Sequence, residues 1–237
     1  MADSLSLASL SDLNPNTVSL QSAYSRGRQR DDTYERMVEA ILEPVRTGKK
    51  VCAAFYGHPG VFVWPSHEAI RRARAEGFEA QMFPAVSAED CLFADLGVDP
   101  ARSGCQSYEA MDFLLYARVI DPTAALILWQ PAALGDTSRS TFETDARWVQ
   151  ALVDVLAESY PADHPVTVYE AASFPLDDSR IEVVPLKDLA GVSFTQASTL
   201  YLPPLRAPEM SRERLERLGV RREDIAMANF QRDREQL

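Results

Sequence analysis

Apolar residues recur in two rhythms along this chain. Tyr34, Met37, Val38, Ile41, Leu42 and Val45 fall three and four apart, the spacing that lines one face of a helix, and Gly48 with two lysines closes that run. Asp31 and Asp32 precede it, where carboxylates cap amides and meet the positive end of the helix dipole. Residues 51–56 are instead an unbroken apolar run, the form of a strand buried on both faces, and they lead into Gly57-His58-Pro59-Gly60. A helix over 66–76 follows, stopped by Gly77, and then a strand over 78–83. Ser87 with Asp90 three residues on is an Asp form of the capping box and opens a further helix. A third strand is predicted over 124–130, and an amphipathic helix over 142–160 with Ala146, Val149, Leu152, Val153 and Leu156 on one side. Strands over 166–169 and 199–202 follow, the latter stopped by Pro203-Pro204. Strands alternating with helices predict an α/β fold with a largely parallel sheet.

Residues 1–21 are polar with scattered leucines and carry weak structural signals. The rest divides into an N-terminal α/β subdomain over 22–122, a C-terminal α/β subdomain over 123–204, and a charged helical tail over 205–237. In that tail Leu215, Leu218 and Ile225 suit a small amphipathic helix that pads the domain or a dimer interface.

Composition narrows the function classes. With 237 residues the chain holds one large domain or two small ones, and 46% apolar residues supply a core. The net charge of −11 repels phosphate backbones, which argues against a nucleic-acid partner. No apolar stretch approaches membrane-helix length, and the N-terminus has no signal-peptide pattern, so the chain reads as cytoplasmic. Three cysteines without a Cys-x-x-Cys pair indicate neither a disulfide framework nor a zinc site. Cys52 and Cys91 read as small core residues. There is no Gly-x-Gly, no Gly-x-Ser-x-Gly, and no zinc spacing among His58, His67 and His164.

What remains is the stretch 55–62, at the carboxyl end of a predicted buried strand, where open α/β sheets bind ligands. Its two glycines admit close backbone approach, with Tyr56 and His58 as polar edges. The plainer reading is a strand-ending turn with a structurally bonded histidine.

Tyr56-Gly57-His58-Pro59-Gly60-Val61-Phe62, followed by residues 84–96 (Pro-Ala-Val-Ser-Ala-Glu-Asp-Cys-Leu-Phe-Ala-Asp-Leu), resembles the tetrapyrrole methylase superfamily of S-adenosylmethionine-dependent enzymes. The segment looks most like the branch containing the peptide α-N-methyltransferases of borosin biosynthesis. The resemblance extends through Asp99-Pro100, residues 104–110, Trp129-Gln130 and residues 197–204, and covers roughly 14–204. It implies that Tyr56, His58, Val61, Phe62, Ser87 and Ala88 hold the cofactor, with Gln130, Ala171, Ser198 and Thr199 at further contacting positions. It also implies that the basic loop 24–34 is a catalytic segment, with Tyr24, Arg30 and Tyr34 at matching places. On pattern alone that loop could as well be a solvated basic surface that balances an acidic neighbour or holds a dimer partner.

Those residue types suit the chemistry the resemblance implies. Methyl transfer from a sulfonium is an in-line displacement, so the main task is alignment. An amide nitrogen is a poor nucleophile because its lone pair is delocalised into the carbonyl. Methylating it requires removal of its proton and stabilisation of charge on the carbonyl oxygen. A guanidinium stays protonated and offers several donors for that oxygen. A phenol, with an ordinary pKa of about 10, becomes a better base beside a cation. Arg30 and Tyr34 are four apart and share a face if the helix begins early enough. Tyr34 or Tyr24 would then take the proton, Arg30 would steady the imidate, and Tyr56 would orient the methyl donor.

Two departures from the family pattern stand out. Members normally begin with a strand, a glycine-rich loop, a helix and a second strand, and this chain has no glycine before Gly27. Loss of a central strand would expose two sheet edges. Fused members of the peptide branch carry an apolar substrate segment at their own C-terminus, whereas 206–237 is charged, so a peptide substrate would be separate. The resemblance further suggests a homodimer. The competing readings are a methyltransferase of a small molecule or tetrapyrrole, and a non-catalytic partner subunit that kept the scaffold.

Overall fold

A computed structural model describes residues 4–23, 30–136, 143–174 and 176–225. Its helices are α1 (Ser4–Leu13), α2 (Arg30–Arg46), α3 (Trp64–Ala75), α4 (Ala88–Leu96), α5 (Ala110–Leu115), α6 (Ala146–Ala157) and α7 (Arg212–Leu218). Its strands are β1 (Cys105–Glu109), β2 (Ala125–Trp129), β3 (Pro165–Glu170), β4 (Arg180–Pro185) and β5 (Thr199–Leu202), in the spatial order β1-β2-β5-β3-β4.

The α/β class expected from the sequence is present, but the sheet is mixed rather than largely parallel. Only β1 and β2, joined through α5, run parallel, while β2–β5, β5–β3 and β3–β4 are antiparallel. The physical reason lies in β5, which runs back between β2 and β3, and in β3–β4, which turn directly on one another instead of through a helical crossover.

The strands expected over 51–56 and 78–83 do not form. An apolar run becomes a strand only when a neighbour takes its backbone N–H and C=O groups, and no described strand lies beside either segment. Residues 51–54 are exposed, Cys52 among them, so that cysteine is not a core residue. Phe83 and Val86 stand 70% and 63% exposed, which leaves an apolar margin beside α3. The segment 78–83 is instead pinned by Arg74, whose Nε and Nη2 both donate to the Ala80 carbonyl at 2.9 and 2.7 Å. Conversely β1 and β4 escaped the apolar pattern. Both are edge strands carrying polar residues, and β4 leaves Ile181 and Val183 exposed.

The period of two in β2 divides the core. Leu126 and Leu128 face α6, where they meet Val149, Leu152 and Leu156, together with Val166, Val168 and Leu200. Ala125, Ile127 and Trp129 face the other way, onto Leu92 of α4 with Tyr169 and Tyr201. Each fully buried leucine contributes about 1.5–3 kcal/mol. Helices α2 and α3 pack as a separate pair through Val38, Leu42, Ala69 and Ala73. Arg72 bridges their surface to Glu35, Glu39 and Glu68.

Helix boundaries follow local chemistry. Helix α3 starts two residues earlier than the pattern suggests, because Pro65 fits a first turn that needs no N–H donor. The capping box of α4 is complete: Ser87 accepts from the Asp90 amide while the Asp90 carboxylate takes the Ser87 amide at 2.7 Å. Helix α7 buries none of its residues. Among the described residues no helix is long and apolar enough to cross a membrane.

Candidate active site

One end of the sheet collects most of the residues that the sequence singled out. In register across it lie Glu109 of β1, Trp129 of β2, Thr199 of β5 and Tyr169 of β3. One residue further out the chain places Gln130, Ser198 and Glu170, then Ala171. Thr199 and Ser198 are almost wholly buried. The Ser198 hydroxyl donates to Glu170 Oε1 at 2.6 Å, and Arg180 Nη1 donates to the same oxygen at 2.9 Å. Burial pushes the Glu170 carboxyl up, but the bonds from Ser198 and Arg180 outweigh it and hold the group charged.

The loop 56–62 and the turn at 87–88 come to this end from the other side. Ala88 and Ala171 pack on the same cluster, around Leu92, Trp129 and Tyr169. Phe62 sets its ring against Trp129, with centroids 5.3 Å apart and planes tilted by 45°. His58 is turned onto its own loop, where its Nδ1 accepts from the Gly60 amide at 2.9 Å. Val61 is partly covered, and its amide donates to the His58 carbonyl at 3.2 Å. Tyr56 is 62% exposed. Tyr169 donates to Asp95 at 2.8 Å, and burial first, then that bond, pushes its phenol well above the ordinary range.

A groove of about 310 Å³ opens beside Gln130. Arg30 and Tyr34 from α2, Phe62, Val63, Trp64 and His67 around the start of α3, and Glu109 and Asp112 at the β1–α5 junction line it. Because α2 begins at Arg30, that residue and Tyr34 do share a face: Arg30 Nε donates to Tyr34 Oη at 2.5 Å, and its guanidinium carbon lies 5.4 Å from the ring centroid. Trp64 stacks on the Tyr34 ring, centroids 6.1 Å apart and planes 17° off parallel. Glu109 is buried, and its Oε2 caps α5 by accepting from the Asp112 amide at 2.7 Å. Tyr24 lies outside the described residues.

Phe62 and Gln130 are the non-glycine residues with left-handed backbone among those described, with φ of 54° and 55°. Both line the groove. Such a conformation costs about 1–2 kcal/mol per residue and persists where the surroundings over-determine it, a pattern that clusters at functional sites.

Trp64, His67, Glu109 and Asp112 were not singled out from the sequence. Glu109 falls inside one of the motifs carrying the resemblance, but nothing in its spacing points to a groove. The signal for Trp64 was its place beside Phe62 at a proline-marked helix start.

The donor set fits a ligand that joins a flat ring system to a cationic centre. Exposed rings at Tyr56 and Phe62 offer stacking surface, Gly57 at φ +68° lets the backbone come close, and Glu170, paired with Arg180 and bonded by Ser198, keeps a carboxylate at the sheet end. No cluster of metal-ligating side chains occurs among the described residues.

The profile of the tetrapyrrole (corrin/porphyrin) methylases matches residues 2–190. A methyltransferase/ribosomally synthesized cyclic peptide gymnopeptides precursor of Gymnopus fusipes is 40% identical over 211 residues, which is 87% of this chain and 50% of that protein. The corresponding omphalotin A precursor of Omphalotus olearius is 42% identical over 195 residues, 81% of this chain and 47% of its own length. The chain thus spans about half the length of the curated relatives it matches. Among solved structures, the uroporphyrin-III C-methyltransferase of Thermus thermophilus superposes with a TM-score of 0.54 at 16% identity, covering 72% of this chain and 71% of that one. A cobalt-precorrin-4 methyltransferase follows at 0.52 and 18%, covering 72% and 70%. These two show the shared fold. With the profile spanning most of its length, this chain belongs to the tetrapyrrole (corrin/porphyrin) methylase family.

Proposed function

We propose that this protein is an S-adenosylmethionine-dependent methyltransferase that N-methylates backbone amides of a peptide. The observation that carries this reading is the contact between Arg30 and Tyr34 in a groove that also reaches Gln130. Relatives at about 40% identity whose names join a methyltransferase to a cyclic peptide precursor support the peptide as acceptor.

When bound at the sheet end, S-adenosylmethionine supplies an electrophilic methyl group on a sulfonium that leaves as a neutral thioether. Phe62 and Tyr56 would offer rings to its flat part, and the loop 57–61, the turn at Ser87-Ala88 and the edge formed by Gln130, Ala171, Ser198 and Thr199 would hold it. In the groove, Arg30 directs N–H donors at the acceptor carbonyl and steadies the charge that grows on its oxygen as the amide loses its proton. Tyr34 takes that proton at Oη, the oxygen that Arg30 Nε holds in place. Trp64 keeps the phenol ring in place.

Titration with S-adenosylhomocysteine by calorimetry, followed by mass spectrometry of a synthetic peptide incubated with S-adenosylmethionine, tests the proposal. Micromolar binding and methyl groups on backbone nitrogens support it. The segments 51–56 and 78–83, which pair with no described strand, favour a second reading, a scaffold subunit without activity, and a folded protein that binds no S-adenosylhomocysteine would select it.

A further inference from the structure

A second groove, of about 450 Å³, runs along the outer face of α3 and is lined by His67, Ile70, Arg71, Arg74 and Met82. His67 also lines the groove that holds Arg30 and Tyr34, so the two meet at one side chain. That side chain is fixed, its Nε2 donating to the Gly60 carbonyl at 2.9 Å. We propose that the α3 groove is the docking track for an acidic, extended stretch of the peptide whose amide is methylated in the adjoining groove; this rests on the peptide methyltransferase reading.

Three observations select that occupant. The first is continuity, since a peptide leaving the Arg30–Tyr34 groove past His67 enters the α3 groove directly. Charge is the second. The chain as a whole is at −11, yet this groove carries two arginines. Arg71 is tied to Glu68, but Arg74 meets only the Ala80 carbonyl among the described residues, so its positive charge faces the groove without a carboxylate. A cation left in this way inside an acidic protein steers acidic partners and repels basic ones. Thirdly, Ile70 and Met82 give the floor an apolar strip between the charges, and Met is an adaptable contact for varied side chains.

Helix geometry sets the register. His67 and Arg74 are seven residues apart, a rise of about 10 Å, which an extended peptide spans in about three residues. An acidic residue about three positions beyond the one that passes His67 would therefore meet Arg74.

The test uses two fluorescein-labelled synthetic peptides with the same methylatable stretch, one followed by a Glu- and Leu-containing flank and one with Lys in place of each Glu. Anisotropy without S-adenosylmethionine measures docking, and mass spectrometry with it measures methylation. The acidic peptide should bind at least tenfold more tightly than the basic one, and the preference should shrink as salt rises. The double variant R71Q/R74Q keeps amide donors near Ala80 and should erase the preference while leaving S-adenosylhomocysteine binding unchanged. Equal binding of the two peptides, no binding of either, or a preference that survives in R71Q/R74Q, overturns the track. Preferential docking without methylation would uphold the track and sink the peptide methyltransferase reading, whereas methylation without flank preference would do the reverse.

Discussion

The ring of Tyr34 lies nearly parallel to the indole of Trp64, 6.1 Å between centroids, while Arg30 donates to the Tyr34 hydroxyl. The phenol is therefore held both by its face and by its oxygen. Trp64→Leu removes the stacking surface, and kcat for peptide methylation is expected to fall by about 10- to 100-fold through misplacement of Tyr34. Trp64→Phe keeps a ring there and should recover most of the loss. Steady-state kinetics of the two variants check this; equal loss in both would show that stacking is not what matters.

Gln130 follows Trp129 directly and holds φ 55° at the sheet end. Gln130→Gly relieves the left-handed backbone by about 1 kcal/mol but removes the side chain from the groove. The variant should unfold at equal or higher denaturant concentration than the parent and bind S-adenosylhomocysteine more weakly. Denaturation and calorimetry on the same sample measure both; a loss of stability would contradict the assignment of strain to this residue.

Gly135, at φ +82°, lies so close to Trp148 that a Cβ there would fall on the indole. Gly135→Ala should destabilise the fold by about 1–3 kcal/mol, through overpacking and the unfavourable backbone together. A shift of the urea midpoint with unchanged slope reads it out, and an unshifted midpoint would refute it.

His164 is buried, packed at a tilt against the Tyr160 ring and bonded through Nε2 to the Pro203 carbonyl at 3.0 Å. Burial lowers its pKa below the usual imidazole value, more than the carbonyl bond raises it. The folded state therefore binds the proton less well than the unfolded chain. The stability this confers is complete above the unfolded value of about 6.5 and is lost as pH falls below it. Urea midpoints at pH 7.5 and 5.5 should differ for the parent by more than for His164→Gln, and equal differences would exclude His164 as the source.

Much of the sheet was legible because β2, β3 and β5 carry apolar runs that are buried on both faces. The edges were not, since Cys105–Glu109 and Arg180–Pro185 have one partner each and need no apolar pattern. Residues 51–56 misled for the opposite reason, an apolar run being necessary for a buried strand but not sufficient without a neighbour to pair with. At the site, the spacing of Arg30 and Tyr34 was readable once the helix start was known. Glu109 and Asp112 were invisible, because only the parallel pairing of β1 with β2 carries the start of α5 to the groove.

The most direct measurement is single-turnover methylation of a synthetic peptide by the parent and by Arg30→Ala, with the modified atom located by mass spectrometry. The account predicts methyl groups on backbone nitrogens and a loss of about 100- to 1000-fold in the variant, the range for removing a donor from a developing oxyanion. An unchanged rate in Arg30→Ala, or methyl groups found only on side chains, would contradict it.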